Sequence, residues 1–267
     1  REGISALVSS FNSDLLARIV ADKEREVSER RARVPEAELE PEARRHTRRP
    51  FAPALVRPGR SIIAEIKQAS PSGGVLRTEY RPAEIARGFE AAGARALSVL
   101  TDGPYFHGSL DHLREARAAT RLPILRKDFV VDPYQVTESA AAGADAVLLI
   151  VAAVNDTLLR ALYDRAVELG LDALVEVHTE EDVDRAAALG ALLIGVNNRN
   201  LSTLAVDVET SLRLRARLPS RAIVVSESGL RSREDLTRLE AAGYRAFLIG
   251  EQLMTAAEPG PALQALL

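Results

Sequence analysis

The chain has 267 residues, 46% of them hydrophobic and 27% charged, a globular balance that excludes a disordered polypeptide. A net charge of −3 without a long basic block argues against nucleic acid or an anionic membrane as the main partner. The chain has no cysteine, hence no disulfide, thiolate nucleophile or Cys-ligated zinc, and no apolar run reaches the roughly 18 residues that span a bilayer. No signal-peptide core opens it, so a cytoplasmic location is expected.

Residues 1–60 read as a helical extension. Leu15, Leu16, Ile19 and Val20 recur at helical spacing before a charged stretch over 22–33, and Asp14 is a candidate cap. Arg44, Arg45, Arg48 and Arg49 follow Glu38, Glu40 and Glu42, which favours a solvated linker over an anion-binding arm. From Ser61 onward strands and helices alternate. Strands are expected at 61–67, 96–101, 123–129, 144–151, 173–178, 192–197, 222–228 and 246–250. Helices are expected at 82–92, 109–119, 133–142, 156–169, 180–189, 208–218, 233–242 and 260–266. Several helices end in a small residue and glycine, while the segments after the strands are longer and more polar. Eight such units, repeating at roughly 25 residues, predict a (β/α)8 barrel over 61–267 with its chemistry at the strand C-termini. An open doubly wound sheet is the competitor, but no Gly-x-Gly-x-x-Gly follows a strand.

Polar residues at the strand ends define a candidate site. Glu65 and Lys67 are two apart and share one face of the first strand, with Ile62, Ala64 and Ile66 on the other. An inward pair of this kind is either a structural ion pair or a functional one. Ser70-Pro-Ser-Gly-Gly then forms a flexible polar loop able to fold over a ligand. On the third strand Lys127 suits a general acid, and Phe129 beside it offers an aromatic wall. Glu176 on the fifth strand is a candidate base or electrostatic partner; His178, two residues on, reads more as an incidental rim residue. Asn197 and Arg199 share a face of the sixth strand and can bind hydroxyls or a carboxylate.

Ser228-Gly229, before a helix starting near Ser232, and Gly250-Glu251 end the last two strands. They read as a phosphate cradle or as plain tight turns, and their place in the barrel favours phosphate. The four histidines, His46, His107, His112 and His178, show no paired ligand spacing, so neither a metal nor an organic cofactor is expected.

Taken together, these stretches resemble the indole-3-glycerol phosphate synthase family of tryptophan biosynthesis. The resemblance runs through Ile63-Ala-Glu-Ile-Lys-Gln-Ala-Ser-Pro-Ser-Gly-Gly, Leu97-Ser-Val-Leu-Thr-Asp with Tyr105-Phe106, and Pro123-Ile-Leu-Arg-Lys-Asp-Phe. It continues through Leu174-Val-Glu-Val-His, Ile194-Gly-Val-Asn-Asn-Arg-Asn-Leu, Val225-Ser-Glu-Ser-Gly and Phe247-Leu-Ile-Gly-Glu, and the extension shares Ile19-Val20, Lys23 and Glu26-Val27. The resemblance implies a ring closure on 1-(2-carboxyphenylamino)-1-deoxyribulose 5-phosphate, a small phosphorylated substrate, with loss of carbon dioxide and water. By resemblance Lys127 is the general acid, Glu176 and Glu65 move protons, and Lys67 contacts a carboxylate or the departing hydroxyl. Asn197 orients hydroxyls and Arg199 supports carboxylates. Ser70, Ser228, Gly229, Gly250 and Glu251 would hold phosphate, and Phe106, Phe129, Leu100, Leu148, Ile150 and Leu201 the aryl ring. The chain departs from the family's common pattern at Gln68 and Gln252. A phosphoribosyl isomerase on the same barrel, or a non-catalytic barrel binding a phosphorylated metabolite, are the alternatives.

Overall fold

The computed structural model describes residues 2–201 and 203–267, with side chains from Leu15 onward. Eight parallel strands close into a barrel: β1 (Ser61–Ile66), β2 (Ala96–Leu100), β3 (Ile124–Lys127), β4 (Ala146–Ile150), β5 (Asp172–Val177), β6 (Leu193–Asn197), β7 (Ile223–Glu227) and β8 (Ala246–Ile249). Closure is set by β1, which pairs Ser61 with Ala246 of β8 on one side and Ile63 with Ala96 of β2 on the other.

Alternation of side chains divides the core in two. Ile62, Ala64 and Ile66 belong to the outer cluster under the helices, whereas Ile63, Leu125, Leu174, Val225 and Leu248 fill the barrel interior. The helices show why they form where they do. In Pro82–Ala92, proline occupies the first turn, where its missing amide is not needed; Ile85, Ala86, Phe89 and Ala92 make the buried face, and Gly93 closes the end at φ 99°. Glu180–Leu189 opens with a reciprocal cap between Thr179 and Asp182.

Three helices precede the barrel: α1 (Glu2–Arg33), α2 (Glu36–Arg45) and α3 (Phe51–Leu55). Helix α1 starts upstream of Asp14, whose side chain lies outside those described. Phe51 and Leu55 of α3 join the interior core and stopper the N-terminal end of the barrel. Asp172 of β5 accepts a hydrogen bond from the Ala52 amide (2.9 Å), and Asp145, just before β4, from that of Arg49 (2.7 Å), which fixes the stopper and the segment before it to the barrel.

Two expectations need correction. The stretch over 44–49 is a strap rather than a solvated linker. Arg48 donates to the carbonyls of Ala43 (2.7 Å) and Leu169, Arg49 to Leu122 O (2.8 Å), and Arg44 pairs with Glu168. Arginine forks found helix-end and loop carbonyls that lacked partners, which charge counting alone does not reveal. The loop after β1 is also not free: Ala69–Ser70 pairs antiparallel with Gly74–Val75, and Ser70 Oγ accepts from the Gly73 amide (3.0 Å). Among the described residues no helix is long and apolar enough to cross a membrane.

Candidate active site

The C-terminal ends of the strands surround a cavity of about 380 Å³. Its floor and walls carry Glu65 and Lys67 from β1, Lys127 from β3, Glu176 from β5, Asn197 and Arg199 from β6, Glu227 to Gly229 from β7, and Gly250 and Glu251 from β8. Leu100, Phe106, Phe129, Leu148, Ile150 and Leu201 supply an apolar side. Every residue given a role by the family resemblance lines this space except Ser70. That serine lines a smaller adjoining cavity with Leu15, Leu16 and Ile19 of α1.

Lys127 is the electrostatic centre. Its Nζ lies 3.0 Å from Glu176 Oε2 and 2.7 Å from Glu227 Oε2. Burial alone would drive the ammonium to lose its proton, but the carboxylates of Glu176, Glu227 and Glu65 hold its pKa well above the usual lysine value. Glu176 is buried too, yet Lys127 and His178 keep it far below the ordinary carboxylate range. Glu227 goes the other way. Burial, with Glu176 and Glu65 repelling its charge, pushes it up to about 7 despite Lys127. Two carboxylates thus share one lysine, one held ionised and the other poised to carry a proton near neutrality.

The remaining groups are oriented by specific contacts. Asn197 Nδ2 donates to Glu176 Oε1 (3.2 Å), and its Oδ1 accepts from the Arg199 amide (3.0 Å), which fixes the amide's direction. Lys67 Nζ pairs with Glu65 Oε1 at 2.7 Å across the cavity floor. The inward pair anticipated from spacing is therefore formed, and it faces open space. Arg199 bridges three loops, reaching Ser72 Oγ, Leu204 O and Glu251 Oε2, each at 3.2 Å.

Glycines make room for these carboxylates. A Cβ at Gly195 would come within 2.1 Å of Glu227 Oε1, and one at Gly250 within 2.2 Å of Glu65 Oε1. At the β7 turn Ser228 (φ 67°) and Gly229 (φ 77°) are both left-handed, a conformation costly for serine and held by an Asn198 Nδ2 hydrogen bond to Ser228 O (3.0 Å).

The helix expected to offer free amides near Ser232 begins at Arg233 and is already capped. Ser232 accepts from the Asp235 amide, and the Asp235 carboxylate takes the amides of Arg231 and Ser232. The short helix Glu251–Thr255 after Gly250 has no side-chain cap. The Glu251 carboxylate turns to Arg199, so only its backbone can face an anion. Gln252 donates to Arg231 O (2.8 Å) and ties the β7 and β8 loops together.

Sequence reasoning gave Glu227 no role and read His178 as a rim residue. Glu227 sits two residues before a glycine turn and on the inward parity of β7, a signal that was present. His178 Nε2 lies 3.2 Å from Glu176 Oε1, and its backbone amide donates to Asp182 (2.9 Å), so the imidazole stands beside the Glu176 carboxylate. Among the described residues, no group of three or more histidines and carboxylates is arranged to hold a metal ion.

A family model described as indole-3-glycerol phosphate synthase matches residues 16–266. The chain belongs to the indole-3-glycerol phosphate synthase family. Two curated members of that name, from Koribacter versatilis and Azospirillum brasilense, are 49% and 50% identical to it; each alignment covers 96% of this chain and 99% of the relative. Among solved structures, the N-acetylmannosamine-6-phosphate 2-epimerase of Clostridium perfringens superposes with a TM-score of 0.60 at 18% identity, covering 81% of this chain and 95% of that one. At that identity the likeness speaks for the barrel alone.

Proposed function

We propose that the protein is an indole-3-glycerol-phosphate synthase, a carboxy-lyase that closes the indole ring of 1-(2-carboxyphenylamino)-1-deoxyribulose 5-phosphate with release of carbon dioxide and water. The observation that carries the reading is the pincer on Lys127: one ammonium between Glu176 and Glu227, with Glu65–Lys67 beside it and an apolar pocket above.

The chemistry follows from these groups. The ring carbon bearing the carboxylate attacks the ribulose carbonyl, and the carbonyl oxygen takes a proton from Lys127. A raised pKa does not prevent this, because an alkoxide is a still stronger base. Glu227, near 7, can then return a proton to Lys127. Carbon dioxide leaves, and the electrons of its bond restore the aromatic ring, so the ring itself is the electron sink. The new hydroxyl departs as water with a proton from the Glu65–Lys67 pair, and ionised Glu176 takes the proton from the adjoining carbon. Two protons are given and one is recovered, which matches the one proton consumed when a carboxylate leaves as neutral carbon dioxide.

Asn197 holds Glu176 in line, and Arg199 meets a substrate carboxylate in exchange for Glu251. Phosphate sits against the backbone of Ser228, Gly229, Gly250 and Glu251, with Ser70 across the mouth, and the aryl ring lies against Phe106, Phe129, Leu100, Leu148, Ile150 and Leu201. Purified protein given the anthranilate-derived ribulose phosphate should produce indole fluorescence over a background free of tryptophan, since the chain has none. No fluorescence under conditions where the protein is folded would refute the assignment.

A further inference from the structure

Helix α1 carries one lysine into the interior. Lys23 is 1% exposed, and its ammonium lies 2.9 Å from Asp102 Oδ1, 3.0 Å from Asp128 Oδ1 and 2.7 Å from Glu26 Oε2. None of these groups has a part in the chemistry above. A lysine buried against two buried aspartates is a poor way merely to attach a helix, because apolar packing does that at lower cost.

Its two barrel partners stand at informative places. Asp102 follows β2, and its Oδ2 accepts from the Tyr105 amide (2.9 Å), capping the turn that carries Phe106. Asp128 lies between Lys127 and Phe129. Its Oδ1, the atom nearest Lys23, also accepts from the Phe129 amide (2.8 Å), while Oδ2 takes the Thr101 hydroxyl (2.6 Å) and Arg126 (2.9 Å). The rings of Phe106 and Phe129 are 6.3 Å apart and line both the main cavity and the small cavity under α1. A second tie repeats the pattern on the next residue, with Tyr105 Oη donating to Asp22 Oδ2 (2.5 Å).

We propose that Lys23 is a positioning residue for the aryl half of the pocket. By holding Asp102 and Asp128 together it sets the separation of Phe106 and Phe129, so helix α1 shapes the aromatic wall. The phosphate half, built on the loops after β7 and β8, does not depend on it. The inference rests on the substrate reading above and predicts a split that a purely stabilising lysine would not give.

The test compares wild type with Lys23→Met and with Lys23→Met/Asp102→Asn, which also removes one stranded carboxylate, well below their unfolding midpoints. KM and kcat are measured for the ribulose phosphate substrate, and the inhibition constant for inorganic phosphate. The expected result is a KM raised about tenfold or more with kcat within about threefold, because lost wall contacts act alike on ground and transition states. Phosphate inhibition should stay within about twofold, as its site is separate. A folded variant with unchanged KM, or phosphate inhibition weakening in step with KM, overturns the role. Loss of fold in both variants assigns the cluster to stability and overturns it as well. Failure of the wild type to turn over the substrate would instead strike the functional reading.

Discussion

Lys127→Met is expected to lose turnover and stability together, and the structure separates the two losses. Loss of a general acid costs about two to four orders of magnitude in kcat. The stability loss comes from the pincer. Methionine preserves most of the stem but leaves Glu176 and Glu227, 1% and 0% exposed, facing each other without the ammonium. The substitution is therefore destabilising even though it keeps the stem. Removing one partner of a buried pair costs about 3–5 kcal/mol. Glu227, already pushed up to about 7, can take up a proton in the variant, and Glu176 retains His178 and Asn197. The low end, about 3 kcal/mol, is therefore expected, or roughly 6–12 °C in thermal midpoint for a chain of this size. The sign with pH is fixed by Glu227. Its folded pKa lies above its unfolded value, so the favourable protonated state is complete below about 4.5 and is lost as pH rises through 7. The variant's deficit should grow from pH 6 to pH 8. The assay is paired: indole formation for kcat and calorimetry for the midpoint, on one preparation at both pH values. A kcat within tenfold of wild type would move the acid role to Lys67, and equal midpoint deficits at both pH values would refute proton sharing in the pincer.

Gly229→Asp should raise the substrate KM sharply, since it puts a carboxylate at the proposed phosphate site on a residue at φ 77°, where even a Cβ would meet Val206 Cγ1 at 2.4 Å; an unchanged KM would show that the cradle is elsewhere. His178→Asn should shift the acid limb of the kcat profile to higher pH. Burial works against the His178 charge, but Glu176 and Asp182 raise its pKa, and the variant removes that cation from beside Glu176. In the wild type the His178 contribution to stability is full below about 6.5 and fades as pH rises through its higher folded value, so the midpoint should fall more steeply with alkaline pH than in the variant; parallel curves would contradict the pairing.

The barrel was legible because its signals are local and repeated. Pro82–Ala92, Pro133–Ala142 and Glu180–Leu189 form over the spans their periodicity predicts, each with a proline or capping residue in front and a glycine behind. The candidate site was legible for the same reason: inward parity at strand ends brings Glu65, Lys67, Lys127, Glu176 and Asn197 into one cavity. What stayed hidden depends on partners distant in sequence. Glu227 owes its raised pKa to burial beside Glu176 and Glu65 and takes its hydrogen bond from Lys127, 100 residues earlier, and Arg48 and Arg49 find carbonyls that no charge pattern announces. Lys23 stood out only as part of the extension's shared pattern within a charged stretch, and the meeting of α1 with the ends of β2 and β3 shows it buried.

The most direct test of the central claim follows the carboxylate. Substrate labelled with carbon-13 at that group, given to the purified protein and followed by NMR, should release one equivalent of labelled carbon dioxide and bicarbonate for each equivalent of indole-3-glycerol phosphate formed. Consumption of substrate with the label retained in an organic product, as an isomerase on the same barrel would give, would contradict the account.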